Sequence, residues 1–283
     1  MAITTILSNY IVNLGNFNVS YGPSALNPAS TGTLNTAMGN GALSSNTTGS
    51  GNTGYGTDTL KLNTIGNSNS AFGRRVLDAN ISGSNNTGMG FDALGASTAD
   101  NNTGFGAFAL ASASSGGLNT GVGRDALSST TTGINCSGLG AGALSTTATA
   151  SNEVTLGDSN VTSLRCNVTT ITSLSDKRDK TNIKPLKIGL DYILSTNPVE
   201  FVWKRRDESN FKKGEKDIGF IAQELQETQT KFNADYVDSV LSSNPERLEA
   251  SYGRLLPIMA QAIKDLNAKI EKLEKNQKLT KTN

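Results

Sequence analysis

The sequence predicts a mainly β repeat rod followed by a small α+β domain that ends in a helix. Three observations support this fold class. Glycine recurs every seventeen residues over residues 22–157, the composition changes abruptly near residue 170, and the C-terminal stretch has helical apolar spacing. Of 30 glycines, 26 lie in residues 1–166, which hold only 5 of the 25 Lys and Arg residues. The chain therefore joins two different kinds of protein.

The repeat is defined by nine glycines, with one step of sixteen residues between Gly90 and Gly106. An apolar residue precedes each glycine, and a Leu or Val follows four positions later. A helical hairpin repeat needs a period about twice as long, so the pattern favours one β-roll coil of two short strands and two turns. Such strict apolar phasing disfavours a disordered linker. The glycines are Gly22, Gly39, Gly56, Gly73, Gly90, Gly106, Gly123, Gly140 and Gly157.

The repeat units resemble a known family. Residues 35–43 and 119–127 are similar to the head repeats of trimeric autotransporter adhesins, although the period here is longer than the usual adhesin unit. The resemblance covers residues 15–162 and implies a left-handed parallel β-roll. A roll this thin encloses little core, so we expect three chains to associate around one axis and bury the exposed rows. Residues 1–14 are expected to be an attachment segment.

The bulk composition excludes several classes of function. A net charge of +1 offers no basic surface for nucleic acid. The chain has no histidine and only two cysteines, Cys136 and Cys166, which excludes the usual zinc sites and the Ser-His-Asp and Cys-His catalytic sets. We therefore expect no cofactor and no metal. The sequence has neither a stretch of about 20 apolar residues nor a secretory pattern at its start, so no membrane association is expected.

Ser175 and Lys180 stand at the composition change and offer a nucleophile and a base. Serine needs a base to remove its proton, and lysine serves only when its pKa falls well below about 10.4. Burial and neighbouring cations lower that pKa, which makes Lys177 and Arg178 candidate pKa-tuning neighbours, while Asp176 and Asp179 would oppose them unless they point away. The alternative is a solvated turn that Ser175 caps.

Four blocks surround and follow this pair, namely residues 175–183, 201–204, 218–225 and a helix from about residue 251. Together they resemble the intramolecular chaperone domain at the end of viral tail spikes and fibres, the S74 self-cleaving peptidase family. The resemblance implies that Ser175 and Lys180 form the catalytic dyad of a single-turnover autoproteolytic serine endopeptidase. It also implies a chaperone domain at 175–283, after a linker at 163–174.

The bond that is cut should adjoin Ser175. Attack by Ser175 Oγ on the Leu174 carbonyl passes through a five-membered ring, whereas attack on the serine's own carbonyl needs a strained four-membered ring. Ring size therefore favours the Leu174–Ser175 bond. The resemblance keeps the Ser175–Asp176 bond as the second choice.

An apolar seam with alternating spacings of three and four residues predicts a short coiled coil at about 251–275. The alternative is an amphipathic helix that packs on its own domain. The seam residues are Leu256, Met259, Ile263, Leu266, Ile270 and Leu273.

These features lead to an expected function. We expect a homotrimeric virion fibre or spike component, made in the host cytoplasm, that attaches to a host receptor or glycan and to other virion proteins. Its C-terminal domain would set the trimer register and then release itself as a soluble fragment. Two alternatives remain open: a passive structural spacer, and a cellular self-cleaving trimeric regulator. We expect no enzyme that acts on an external substrate, because the seven acidic residues of the rod are scattered.

Overall fold

The computed structural model describes residues 10–13, 16–161, 163–165, 167, 173, 175–204 and 213–281. Most of the expected attachment segment, 1–14, and of the expected linker, 163–174, lies outside the described residues, as does Cys166. The chain divides into two units, Met1–Val161 and Thr162–Asn283. The first is a parallel β-solenoid and the second a small α+β region that ends in a long helix. The predicted order of a parallel β repeat and an α+β region is confirmed.

The solenoid has a single ten-stranded sheet in sequence order. Strand β1 (Tyr10–Asn13) pairs antiparallel with β2, and every later strand pairs in parallel with its neighbour. Equivalent repeat residues face each other, because Thr36 pairs with Thr53 and Met38 with Tyr55. The nine parallel strands enclose about eight coils over roughly 40 Å, at about 4.8 Å per strand. They are β2 (Asn18–Tyr21), β3 (Thr36–Met38), β4 (Thr53–Tyr55), β5 (Ser70–Phe72), β6 (Thr87–Met89), β7 (Thr103–Phe105), β8 (Thr120–Val122), β9 (Ser137–Leu139) and β10 (Val154–Leu156).

Each coil contains one strand, so the expectation of two strands per coil is wrong. The reason lies in the repeat leucine four residues after the glycine, which has a positive φ, for example 53° at Leu43 and 54° at Leu77. Extended backbone is impossible there. The leucine nevertheless continues the coil-to-coil ladder, since Leu43 N donates to Thr59 O at 3.0 Å and Leu77 N to Ala93 O at 3.1 Å.

Burial of the leucine side chain compensates for this backbone strain. A bulky residue in the left-handed region costs about 1–2 kcal/mol. Full burial of a leucine side chain returns about 1.5–3 kcal/mol, and the repeat leucines from Leu43 to Leu110 are fully buried. The row of leucines therefore forms the core of the solenoid. The second apolar row, directly before each glycine, lies on the outer face of the sheet, where Tyr55 is 56% and Leu139 57% exposed.

A ladder of buried asparagines fixes the stacking of the coils. Asn52 accepts the backbone N–H of Asn69 at 3.0 Å, and Asn69 accepts the N–H of Asn86 at 2.9 Å. Each amide also bonds across its own coil, as when Asn69 Nδ2 donates to Gly83 O at 2.8 Å. Cys136 holds the equivalent place at the end of the ladder. The ladder residues are Asn18, Asn35, Asn52, Asn69, Asn86, Asn102 and Asn119.

The repeat glycine is required at the corner after each strand. At Gly39 φ is 135°, and a Cβ there would lie 2.3 Å from Gly56 O. Only glycine tolerates both the dihedral angle and this approach of the next coil. The recurrence of glycine at this corner of each coil follows from this contact, which is kept across the sixteen-residue step from Gly90 to Gly106.

Among its described residues, the C-terminal region combines two short antiparallel sheets with three α-helices and three short 3-10 turns. Strand β11 (Pro198–Val202) pairs with β12 (Lys216–Phe220), and β13 (Val240–Leu241) with β14 (Glu249–Ala250). The helices are α1 (Leu190–Ser195), α2 (Ala222–Lys231) and α3 (Leu256–Lys281). The core consists of Tyr192, Ala234, Val237, Leu255 and Ile258.

Helix α3 packs on this core with only one face. Ile258 and Ala262 are buried, and the carboxylate of Asp265 accepts the backbone N–H of Leu190 at 3.0 Å, which joins α3 to the start of α1. Hydrogen bonds from Leu190 and Gln261 hold the pKa of Asp265 below its usual range. No helix among the described residues has the length and apolar content needed to span a membrane.

Candidate functional site

Ser175 and Lys180 lie in direct contact. Lys180 Nζ is 2.6 Å from Ser175 Oγ and 3.1 Å from the carbonyl oxygen of the same serine. Five residues of extended chain would separate the two by about 17 Å, so a turn must bring them together. The pair that the sequence singled out is thus within proton-transfer distance.

A single 3-10 turn, Lys177–Asp179, produces this contact. Asp176 caps it, because its Oδ1 accepts the backbone N–H of Arg178 at 2.8 Å. The backbone N–H of Lys180 donates to Lys177 O at 3.2 Å and closes the turn. The side chain of Lys180 then points back to Ser175.

Asp176 and Arg178 also form a forked ion pair. Arg178 Nε lies 3.1 Å from both carboxylate oxygens, and Nη2 lies 2.6 Å from Oδ2. The hydrogen bonds from the Arg178 side chain and backbone hold the pKa of Asp176 below its usual range, and the same contact raises the pKa of Arg178. The sequence suggested Arg178 as a neighbour that tunes Lys180, but its guanidinium is directed at Asp176 instead.

The role of Asp176 as a cap was not anticipated. From the sequence, the Asp176 carboxylate was expected only to oppose a lowered pKa of the catalytic lysine. An Asp placed two residues before the N–H that it accepts is a common capping pattern, and this signal was available. Leu174, on the other side of Ser175, lies outside the described residues.

The pair is exposed to solvent in the single chain, since Ser175 and Lys180 both lie on the surface. Free lysine, with a pKa of about 10.4, is neutral in roughly one molecule of 2,500 at pH 7. A lysine base therefore requires that water be displaced from its amine. Another surface has to cover this site before the contact becomes an efficient nucleophile and base.

The apolar seam of α3 is also uncovered. Its six residues all lie on the exposed side of the helix, with Met259 47% and Ile263 68% exposed. The buried Ile258 and Ala262 lie on the adjoining face of the helix. Packing on its own domain therefore uses a different face of α3, and the seam remains available to other copies of the chain.

Comparison with known proteins gives one match. The family model described as Peptidase_S74, chaperone of endosialidase, matches residues 175–233, a stretch that begins at Ser175 itself. No curated protein and no solved structure matches the chain. The matched stretch covers the dyad turn, α1, β11, β12 and α2.

Proposed function

We propose that this chain is a fibre-like homotrimer whose C-terminal region directs assembly and then removes itself by cleavage at Ser175. The observation that carries the proposal is the 2.6 Å contact between Lys180 Nζ and Ser175 Oγ at the first residue of the chaperone-family match. The solenoid supplies the fibre part, and its position before the matched region agrees with this arrangement.

In the proposed reaction, neutral Lys180 takes the hydroxyl proton as Ser175 Oγ attacks the carbonyl carbon of Leu174. The C–O bond forms, and the tetrahedral intermediate then breaks its C–N bond while Lys180 returns the proton to the Ser175 nitrogen. The resulting ester is hydrolysed by water, which leaves a Leu174 carboxylate and a free Ser175 hydroxyl. Cleavage at Ser175–Asp176 is the second choice, and the contact of Lys180 with the Ser175 carbonyl favours it.

Two apolar surfaces support association with further copies of the same chain. One is the α3 seam, and the other is the outer face of the solenoid sheet. Strands β2 to β10 contain no charged residue, although charges flank them at Arg74, Arg75 and Asp92. Depletion of charge in an apolar patch is typical of the centre of a protein interface.

Near-identical coils leave the alignment of three solenoids poorly specified, because a slip by one coil preserves most contacts. A region with a unique core and a helical seam aligns the chains at one end. We propose that this assembly also covers Ser175 and Lys180, so that cleavage follows alignment. Loss of the aligning region then makes the trimer hard to undo.

We further propose host attachment through the side of the solenoid. A surface notch of about 440 Å³ lies on the side of the solenoid, where Asp100 and Asn101 are beside the exposed Leu118 and Ile134. A carboxylate, an amide and apolar side chains together suit a saccharide. A passive spacer would instead show no binding, and Asp100→Ala in the cleaved trimer separates the two: loss of cell or glycan binding supports attachment.

The cleavage proposal is tested with Ser175→Ala and Lys180→Ala. We expect both variants to form trimers that keep residues 175–283 on a denaturing gel, whereas the parent chain is processed. Full processing of either variant would exclude the dyad. Ser173→Ala, two residues before the nucleophile, is the matched control and should be cleaved like the parent.

A further inference from the structure

The turn that carries the dyad lacks a hydrophobic anchor. None of its three residues, Lys177–Asp179, is buried. A single 3-10 turn has too few hydrogen bonds to be stable in isolation. The contacts that hold it are the cap and the forked ion pair between Asp176 and Arg178, together with two backbone hydrogen bonds, from Asp179 N to Asp176 O at 3.3 Å and from Lys180 N to Lys177 O at 3.2 Å.

We propose that Asp176 and Arg178 are positioning residues for self-cleavage: the forked pair holds the turn that delivers Lys180 Nζ to Ser175 Oγ, and it neutralises the carboxylate that adjoins Ser175 in the chain. This proposal rests on the proposed cleavage function. Asp176 and Arg178 act through Lys180 and contact neither the nucleophile nor the base.

The mechanical part follows from the order of the contacts along the chain. Asp176 binds Arg178 through both its backbone N–H and its guanidinium, which fixes residues 176–178. Lys180 follows directly and is tied to Lys177 by its backbone. If the forked ion pair breaks, the turn loses its side-chain support. The 2.6 Å contact between Lys180 Nζ and Ser175 Oγ is then present in only some of the conformations that the turn adopts.

The electrostatic part follows from the charges around Lys180. Asp176, Lys177, Arg178 and Asp179 lie in the same turn. Within the described part of the chain, both hydrogen bonds of the Lys180 side-chain amine go to Ser175, and no ion pair reaches this amine. An unpaired Asp176 carboxylate would favour the ammonium form of Lys180, whereas an unpaired Arg178 would oppose it. Their pairing removes both effects.

Two single variants separate the charges. Arg178→Gln leaves the Asp176 carboxylate unpaired. The rate of cleavage should still increase with pH, but the midpoint of that increase should lie about half a pH unit higher than in the parent. Asp176→Asn keeps an oxygen for the cap but leaves the guanidinium unpaired, so its midpoint should fall by about half a unit. The double variant Asp176→Asn/Arg178→Gln should return to the parent midpoint.

Two further variants isolate the fork. Arg178→Lys keeps the charge but cannot make the fork, so we expect the parent midpoint with a rate about three- to fivefold lower, the range of an exposed ion pair. Asp179→Asn is the matched control, because it removes a carboxylate from the same turn without opening the fork. Its maximal rate should stay within about twofold of the parent.

The experiment uses the full chain, diluted from denaturant into buffers from pH 6 to 10. Cleavage is followed over time on denaturing gels, and assembly of each variant is measured in parallel in a Ser175→Ala background. The proposal is supported by opposite midpoint shifts in variants that assemble normally. It is overturned if the midpoints and rates equal those of the parent, if both midpoints move in one direction, or if slow cleavage merely follows failed assembly.

The same experiment separates this proposal from the cleavage function on which it rests. If the parent chain stays intact, or if Ser175→Ala is processed, the cleavage function itself is wrong. If the parent is cleaved and Ser175→Ala is not, but the Asp176 and Arg178 variants behave like the parent, only the positioning role fails.

Discussion

The buried asparagine ladder allows the sharpest test of the solenoid, through the substitution Asn69→Ala. Asn69 Oδ1 accepts the backbone N–H of Asn86 at 2.9 Å, and Nδ2 donates to Gly83 O at 2.8 Å. Alanine leaves the backbone N–H of Asn86 buried without a partner, while Gly83 O keeps its hydrogen bond from Asn80 Nδ2 at 2.9 Å. One such group costs about 1–3 kcal/mol, so the free energy of unfolding should fall by about 1–3 kcal/mol. Asn52 keeps its bond from the backbone N–H of residue 69, which adds no further loss.

The measurement is guanidinium unfolding followed by circular dichroism at fixed protein concentration. It is made in a Ser175→Ala background, so that every molecule keeps its C-terminal region. Asn40→Ala is the matched control, because Asn40 is exposed and its side chain has no hydrogen-bond partner among the described residues. We expect the control to change stability by less than about 0.5 kcal/mol. An Asn69→Ala protein as stable as the control would refute the ladder as the source of coil stacking.

Three further predictions follow from the structure. Ile263→Asp together with Ile270→Asp places charge in the exposed seam, so size-exclusion chromatography with light scattering should show monomers or aggregates and gels should show uncut chain. Cys136→Asn extends the asparagine ladder, because its side chain offers an acceptor to the backbone N–H of Glu153. The free energy of unfolding should increase by about 1 kcal/mol, which corresponds to a rise of several degrees in the thermal midpoint. The pKa of Asp265 is lower in the folded protein than in the unfolded chain, where it is about 3.9, so its charged carboxylate stabilises the α1–α3 contact at pH values above about 3.9. This contribution is lost as the pH falls through the pKa of Asp265 in the folded protein. The thermal midpoint of the parent should therefore exceed that of Asp265→Asn at pH 6, and the difference should vanish by about pH 2.

Each of these predictions has a defined contrary result. Lys264→Asp with Lys272→Asp adds charge to α3 outside the seam and should leave the trimer intact, so equal behaviour of the two double variants contradicts the seam. A lower midpoint for Cys136→Asn contradicts the extended ladder. A pH-independent difference between the parent and Asp265→Asn means that the carboxylate charge does not matter.

The repeat was predictable because each coil meets the next through the same few atoms. Gly39 faces Gly56 and Asn52 faces Asn69, so the contact geometry is written into the sequence as a period. The single strand per coil was not predictable. Leucine rarely adopts positive φ, and the strain at Leu43 is accepted only because its side chain fills the core. Tertiary burial outweighs local preference at that position.

The dyad residues were predictable, but the turn that joins them was not. Ser175 and Lys180 were singled out by residue type and by the resemblance of the blocks that follow. The capping by Asp176 and its fork with Arg178 depend on side-chain geometry, which residue spacing does not specify. The seam likewise predicts that helices associate, but it does not predict how many helices the coiled coil contains. Ile at one core position with Leu at the other is typical of two-stranded coiled coils, so the rest of the region would have to specify the proposed trimer.

We expect assembly to precede self-cleavage at Ser175, and native mass spectrometry of the refolding chain can follow both events in one experiment. Samples taken over time report the mass of each chain and the number of chains in each particle. Uncut monomers should appear first, then uncut trimers, then trimers of residues 1–174 (or 1–175) with a released C-terminal fragment. Cleaved monomers, or assembled trimers that remain uncut indefinitely, would contradict it.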